Sequence, residues 1–270
     1  MKLAVVSPMS EALAEQWGYK PLLERVIKGA ANRDTEIVMK WADRNRNEHI
    51  DSYLFTAFPM FLNNKVLLEK MYEAEQEGCD GAMVACASDP AIDEIRALLS
   101  IPVVASVESM ALAACMAGPK FAIVTLPDRR LGEGEERLIS KYGLRERFTK
   151  LYYLDGPLDD FFTAFNNPDI IRERVMHTCK KAIDEGAHSI ILGSTGLSVC
   201  VRAAEIVKVP QHDAPIFDSA GTAVKMLEYR VGLLQNIGLP PTCRAGEYAL
   251  YPKEDLALLF AENQFRTGNP

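Results

Sequence analysis

Residues 77–88 read EGCDGAMVACAS, and residues 185–196 read EGAHSIILGSTG. Each has Glu-Gly, two loop residues, a small residue, an apolar run, another small residue, and then Cys or Ser. The step from Glu77 to Cys86 equals the step from Glu185 to Ser194. The agreement extends both ways. KLAVVS (2–7) parallels KFAIVT (120–125), and PVVAS (102–106) parallels PIFDS (215–219). Three blocks in the same order mark an internal duplication, although the spacings between blocks differ by several residues.

Each half then has the same plan. The first offers strands near 2–7, 35–41, 81–86 and 102–106, and the second near 120–125, 150–155, 189–194 and 215–219. These are short apolar or β-branched runs without clean alternation, as strands covered on both faces require. Helical patterns lie between them, over Asn64 to Glu77, Ala91 to Leu99 and Asp169 to Glu185. Asp89-Pro90 reads as an N-cap with proline at the first helical position. The stretch 44–60, RNRNEHIDSYLFTAFPM, fits neither period and reads as a long loop, and the tail after Phe265 as a frayed end. Strand–helix–strand alternation implies parallel sheets with right-handed crossovers. The fold expected is α/β, with two pseudo-symmetric domains, each a four-stranded parallel sheet flanked by helices. The first is assigned to residues 1–106 plus 215–270 and the second to 107–214, with the site in the cleft between them.

Composition bounds the function. Of 270 residues, 48% are hydrophobic and 25% charged, ordinary for a folded chain with one or two full cores. The formal charge of −7, with no basic run, argues against nucleic acid and anionic membrane as partners. No apolar run approaches the ~20 residues that span a bilayer. The apolar start stops at Ser7-Pro8, too short for a signal peptide and better read as a first strand. The six cysteines (Cys79, Cys86, Cys115, Cys179, Cys200 and Cys243) are scattered, and the four histidines (His49, His177, His188 and His212) form no metal pattern. This argues against structural zinc and a disulfide framework, and for a reducing cytoplasm.

In an open parallel sheet, ligands bind beyond the carboxyl ends of the strands. Here those ends carry Ser7-Pro8, Cys86-Ala87-Ser88, Thr125 and Ser194-Thr195-Gly196. If the halves face each other, Cys86 and Ser194 share one cleft, and helices starting after them aim N–H groups into it. Such a site suits a carboxylate or a developing oxyanion without arginine or metal. A helix N-terminus would also lower the pKa of Cys86. Against this, a free cysteine is most often a small buried hydrophobe, the reading we take for Cys79, Cys115, Cys179 and Cys200. A serine at a strand–helix turn is usually only a cap. Arg129 and Arg130 read as solvated surface, and Glu108 and Asp218 as helix caps or supporting partners. Gly193–Gly196 could cradle a phosphate, but it lacks the Walker lysine and spacing.

The residues that carry this pattern resemble the aspartate/glutamate/hydantoin racemase superfamily. The resembling segments are GCDGAMVACASDPAIDEIRALLSIPVVAS (78–106), FAIVT (121–125), EGAHSIILGSTGLS (185–198) and APIFDSAGTAVKMLE (214–228). NEHIDSYLF (47–55) and LLEKMYEAEQEG (67–78) are similar to the hydantoin racemase branch. The resemblance implies a cofactor-free site and two opposed cysteines, one removing the α-proton of a small carboxylate, amino acid derivative or cyclic amide while the other supplies a proton. Carried over by position, Cys86 is the first cysteine, and Ser7, Ser88, Thr125 and Thr195 are binding or oxyanion groups. The second cysteine position holds Ser194, and a hydroxyl is a far poorer base than a thiolate. A lone Cys86 fits racemisation with Ser194 or water as partner, proton donation to an enediolate as in decarboxylases of activated malonates, or covalent addition as in cis–trans isomerases. A non-catalytic two-lobed binding protein is the rival from another class; a nucleotide enzyme built on Gly193–Gly196 is weaker. A symmetric homo-oligomer fits base rates, and no specific interface is legible.

Overall fold

The computed structural model describes residues 1–42 and 56–265. From the N-terminus the chain forms β1 (Lys2–Ser7), α1 (Glu11–Gln16), α2 (Tyr19–Ala30), β2 (Glu36–Trp41), α3 (Ala57–Gln76), β3 (Gly81–Val84), α4 (Ile92–Leu98) and β4 (Val103–Ala105). It continues through α5 (Ser106–Ala117), β5 (Phe121–Thr125), α6 (Arg129–Lys141), β6 (Phe148–Tyr153), α7 (Asp159–Ala164) and α8 (Arg172–Asp184). The last elements are β7 (Ser189–Leu192), α9 (Thr195–Ala203), β8 (Lys208–Val209), β9 (Ala214–Phe217), α10 (Ser219–Ile237) and α11 (Lys253–Glu262).

The duplication in sequence is a duplication in topology. The first sheet is parallel with strand order β2-β1-β3-β4, and the second repeats it as β6-β5-β7-β9. Val6 lies opposite Val84 in the first, as Val124 lies opposite Leu192 in the second. The second sheet also gains a fifth strand, the two-residue β8, antiparallel to β9 at its edge. Strands β3, β5 and β7 are buried along their whole length, while the edge strands β2 and β6 are only partly covered.

Period-two alternation splits each central strand between two cores. Leu3 and Val5 of β1 face a core shared with Ala122 and Val124 of β5 and with Ile190 and Leu192 of β7. Ala4 and Val6 face the opposite way, onto Leu67 and Met71 of α3. The two lobes are therefore joined by continuous apolar packing. After β9 the chain crosses back, and α10 packs against α5, α2 and β3 of the first half. Gly81 permits that approach: a Cβ there would come within 2.7 Å of Val231 and 2.9 Å of Leu227. β9 pairs with β7 in the second sheet, and α10 follows it from Ser219.

Two local readings change. The helix expected from Asn64 begins at Ala57, so residues 57–60 are helical, while the rest of the 44–60 stretch up to residue 55, with His49, lies outside the described residues, as does the tail beyond Phe265. Asp89 does not cap the helix that follows it. That helix starts from Ala91 without a side-chain cap, and the Asp89 carboxylate instead accepts the N–H groups of Val107 and Glu108, each at 2.9 Å, at the start of α5. Among the described residues no helix is long and apolar enough to cross a membrane.

Candidate active site

A cleft of about 670 Å³ opens at the carboxyl ends of both sheets. Ser7 and Pro8 enter it after β1, Cys86, Ala87 and Ser88 after β3, and Ser194, Thr195 and Gly196 after β7. The sulfur of one lobe and the hydroxyl of the other thus face one space, as the duplication requires. Thr125 does not line it. That residue is fully buried and donates its hydroxyl to Glu135 Oε1 at 3.0 Å, behind the cleft floor.

Cys86 is half-buried, with its Sγ 3.2 Å from Ser88 Oγ. Its pKa is raised, not lowered as a helix N-terminus would have it. Burial is the main cause; hydrogen bonding to Ser88 opposes it, and the nearby carboxyls of Asp89 and Glu135 add to it. The helix that follows in the chain, α4, begins only at Ile92, six residues beyond the sulfur. At rest the group is a thiol. Two non-glycine residues in the turn after it, Asp89 at φ 43° and Ala91 at φ 53°, hold left-handed backbone. Such strained residues cluster at functional sites. Asp89 also accepts from the Tyr142 hydroxyl at 2.7 Å, and burial pushes its own pKa up to about 6.

Ser194 is both cap and wall. It sits in extended backbone before α9, and its Oγ accepts the Leu197 N–H at 3.3 Å. The adjacent Thr195 hydroxyl is buried without a partner. Ser7 Oγ accepts from the Met9 N–H at 3.3 Å, and the Pro8 carbonyl accepts from Asn63 Nδ2 at 3.0 Å, which ties α3 to the rim. Gly193 is required by Glu135, because a Cβ there would overlap both carboxyl oxygens. Glu135 falls on the buried stripe of α6 with Leu131 and Ile139; burial raises its pKa well above the usual range, against the Thr125 hydrogen bond.

The sequence reading missed most of the cleft's surface. One wall is aromatic: Trp17 and Tyr19 from the first lobe meet Phe161, Phe162 and Phe165 from the second. Ring centroids lie 4.8 Å apart for Trp17–Phe162 and 5.3 Å for Tyr19–Phe165. Gly196 packs beneath this wall, with its Cβ position 3.1 Å from Phe165 Cζ. The signal in the sequence was DDFFTAF at 159–165, an aromatic run beside an otherwise polar stretch. The charged side chains on the described walls are Asp128, Arg130 and Asp159, and Asp128 holds the Arg130 guanidinium, with both oxygens 3.0 Å from Nε. Arg129, by contrast, is surface, paired with Glu133. Asp218 caps α10 through the Gly221 N–H at 2.6 Å, and Glu108 pairs with Arg96. Cys200 is buried at the back of the cleft, its thiol pushed up to about 12. Cys79 and Cys179 are buried and Cys243 is exposed. Among the described residues no group of three His, Cys, Asp or Glu side chains is placed to hold a metal ion.

The family model described as Asp/Glu/Hydantoin racemase matches residues 22–227. A hydantoin racemase of Pseudomonas sp. (strain NS671) is 28% identical over 235 residues, covering 86% of this chain and 87% of the relative. Among solved structures, an allantoin racemase from Klebsiella pneumoniae superposes with a TM-score of 0.74 at 24% identity, covering 94% of each chain. An allantoin racemase from Pseudomonas fluorescens superposes with a TM-score of 0.70 at 20% identity, covering 94% of this chain and 98% of the other.

Proposed function

We propose, from the premise that the chain belongs to the Asp/Glu/hydantoin racemase family, that it inverts the α-carbon of a neutral cyclic amide, a hydantoin carrying an aromatic or branched apolar substituent. The observation that carries this reading is the composition of the shared cleft. Cys86 and Ser194 enter it from opposite lobes, and the space between them is walled by Trp17, Phe161, Phe162, Phe165 and other apolar groups. Burial of an apolar substituent there contributes ~25 cal/mol per Å². The described charges on the walls leave Arg130 neutralised by Asp128 and Asp159 besides, so nothing there favours a dicarboxylate. The 28% identity to a hydantoin racemase agrees with the same substrate class.

The chemistry follows from the side chains. The Cys86 thiol gives its proton to solvent, and the thiolate takes the α-hydrogen, as a proton, from the ring carbon between carbonyl and N–H. The electron pair of the broken C–H bond moves into the carbonyl, giving an enolate. In this reading the free N–H groups at the start of α9 and the Thr195 hydroxyl, which has no partner among the described residues, receive the oxyanion. Protonation of the far face, by Ser194 Oγ–H or by a water beside it, completes inversion, and solvent restores that proton. Ser194 is the weaker side of the pair.

One observation favours a second reading. Burial favours the protonated form of Cys86, and a thiol is the form that could protonate an enediolate left by decarboxylation of an activated malonate. The two readings part on substrate charge. Chiral chromatography of each benzylhydantoin enantiomer, run beside aspartate, glutamate, allantoin and an arylmalonate, tests them. Racemisation of the hydantoin with inert malonate supports the first. Carbon dioxide release from the malonate with inert hydantoin replaces it with the second. Binding of hydantoin with no product from any substrate makes the chain a binding protein.

A further inference from the structure

Tyr19 is the first residue of α2 and is 3% exposed. Its ring packs edge-on to Trp41 with centroids 6.3 Å apart, and against Phe165 at 5.3 Å. It lines the cleft together with Cys86 and Cys200, and both thiols lie within electrostatic reach of its hydroxyl. No described residue forms a hydrogen bond with that hydroxyl. The contrast within the chain is sharp. Among the described residues the other buried tyrosine, Tyr152, donates to Glu185 at 2.8 Å, and the half-buried Tyr142 donates to Asp89 at 2.7 Å. Phenols with a buried ring ordinarily give their polar end a hydrogen-bond partner or water, and Tyr19 lines the cleft. At Tyr19 the hydroxyl is left free of partners among the described residues, beside the space a substrate would fill.

We propose that the Tyr19 hydroxyl is a catalytic hydrogen-bond donor, holding the substrate oxygen that gains charge when Cys86 removes the α-proton. This rests on the racemase reading above and adds a residue to it. The ring is fixed by Trp41 and Phe165, so the donor is in place before substrate arrives, as oxyanion stabilisation requires. Burial, followed by the neighbouring Cys86 and Cys200 thiols, drives the phenol's pKa far upward. The group therefore stays protonated when Cys86 becomes a thiolate, and it serves as a donor, never as the base. It lies outside the strand-end residues that the sequence pattern offered as candidates.

The test is Tyr19→Phe in the full chain, assayed on both benzylhydantoin enantiomers after the wild type has been shown to racemise them. The substitution keeps the ring and deletes the oxygen. We expect kcat to fall about a hundredfold, with KM within about threefold and an unchanged melting temperature, since the hydroxyl touches no protein group. Exchange of the α-hydrogen with solvent deuterium should fall by the same factor as kcat. Tyr19→Phe turnover of at least half the wild type overturns the proposal. So does a kcat loss with unchanged exchange, or one that tracks a drop in melting temperature, because the oxygen would then act elsewhere or only in folding. A wild type with no hydantoin turnover overturns the functional reading and this role with it. An active wild type with an equally active variant overturns the role of Tyr19 alone.

Discussion

Glu135 lays its carboxyl directly against the Cα of Gly193, the residue before Ser194, and fills the space that any side chain at 193 would need. The acid is 1% exposed, its Oε1 is held by Thr125, and its Oε2 has no partner. A carboxylate in that position would be an almost unpaired buried charge, so the group is held neutral. Gly193→Ala must push the acid or the turn aside. We expect a loss of about 2 kcal/mol in stability, the usual cost of overpacking, together with reduced turnover, measured by urea unfolding and racemase assay.

The same group gives a pH dependence whose sign is fixed. The folded pKa of Glu135 lies well above 4.5. Folded protein therefore keeps a proton that the unfolded chain loses, and stability falls as pH rises from the unfolded value through the folded one. Asp89 acts in the same direction between 3.8 and about 6. Glu135→Gln removes the penalty. We expect the variant to exceed the wild type in melting temperature at pH 8 and the gap to shrink toward pH 4. A constant gap would show that Glu135 does not titrate in this way.

Asp89 ties the Cys86 turn to the start of α5 through two N–H groups and to α6 through Tyr142. Asp89→Ala strands three donors. We expect destabilisation of about 3 kcal/mol, from the ~1–3 kcal/mol cost of each buried group left unpaired. Loss of activity should exceed what the folded fraction explains, since the turn carrying the thiol is released. Calorimetry and turnover on the same sample separate the two effects.

Ser194→Cys places a second thiol opposite Cys86. We expect racemisation to rise at least about tenfold, because a thiolate is a far better base than a hydroxyl. The change also weakens a cap worth ~1 kcal/mol, so a small drop in melting temperature should accompany it. In the wild type, the enantiomer whose α-hydrogen faces Cys86 should exchange with solvent deuterium faster than it inverts; the variant should lose that asymmetry. Equal exchange and inversion in the wild type would mean that Ser194 already works as well as a thiol.

Much of this arrangement was legible in the sequence. The paired Glu-Gly blocks located β3 and β7, and Cys86 and Ser194, each two residues past its strand, both line the cleft. What escaped was tertiary. The helix α3 was started too late because Phe58 and Phe61, 70% and 71% exposed, put apolar residues on its outer face and blur the period. The aromatic wall joins residues 17–19 to residues 159–165, a pairing that no local pattern encodes. The acidity of Cys86 was read from helix position, and burial reverses it.

The direct measurement is the pH profile of benzylhydantoin racemisation by wild type and Cys86→Ala. Because burial raises the Cys86 pKa, wild-type kcat/KM should climb with pH through the neutral and mildly alkaline range, approaching about tenfold per pH unit. The folded alanine variant should lie at least about a thousandfold lower, with no such climb, as loss of the proton-transferring group implies. An alanine variant that keeps near-wild-type turnover and the same slope would contradict the account at its root.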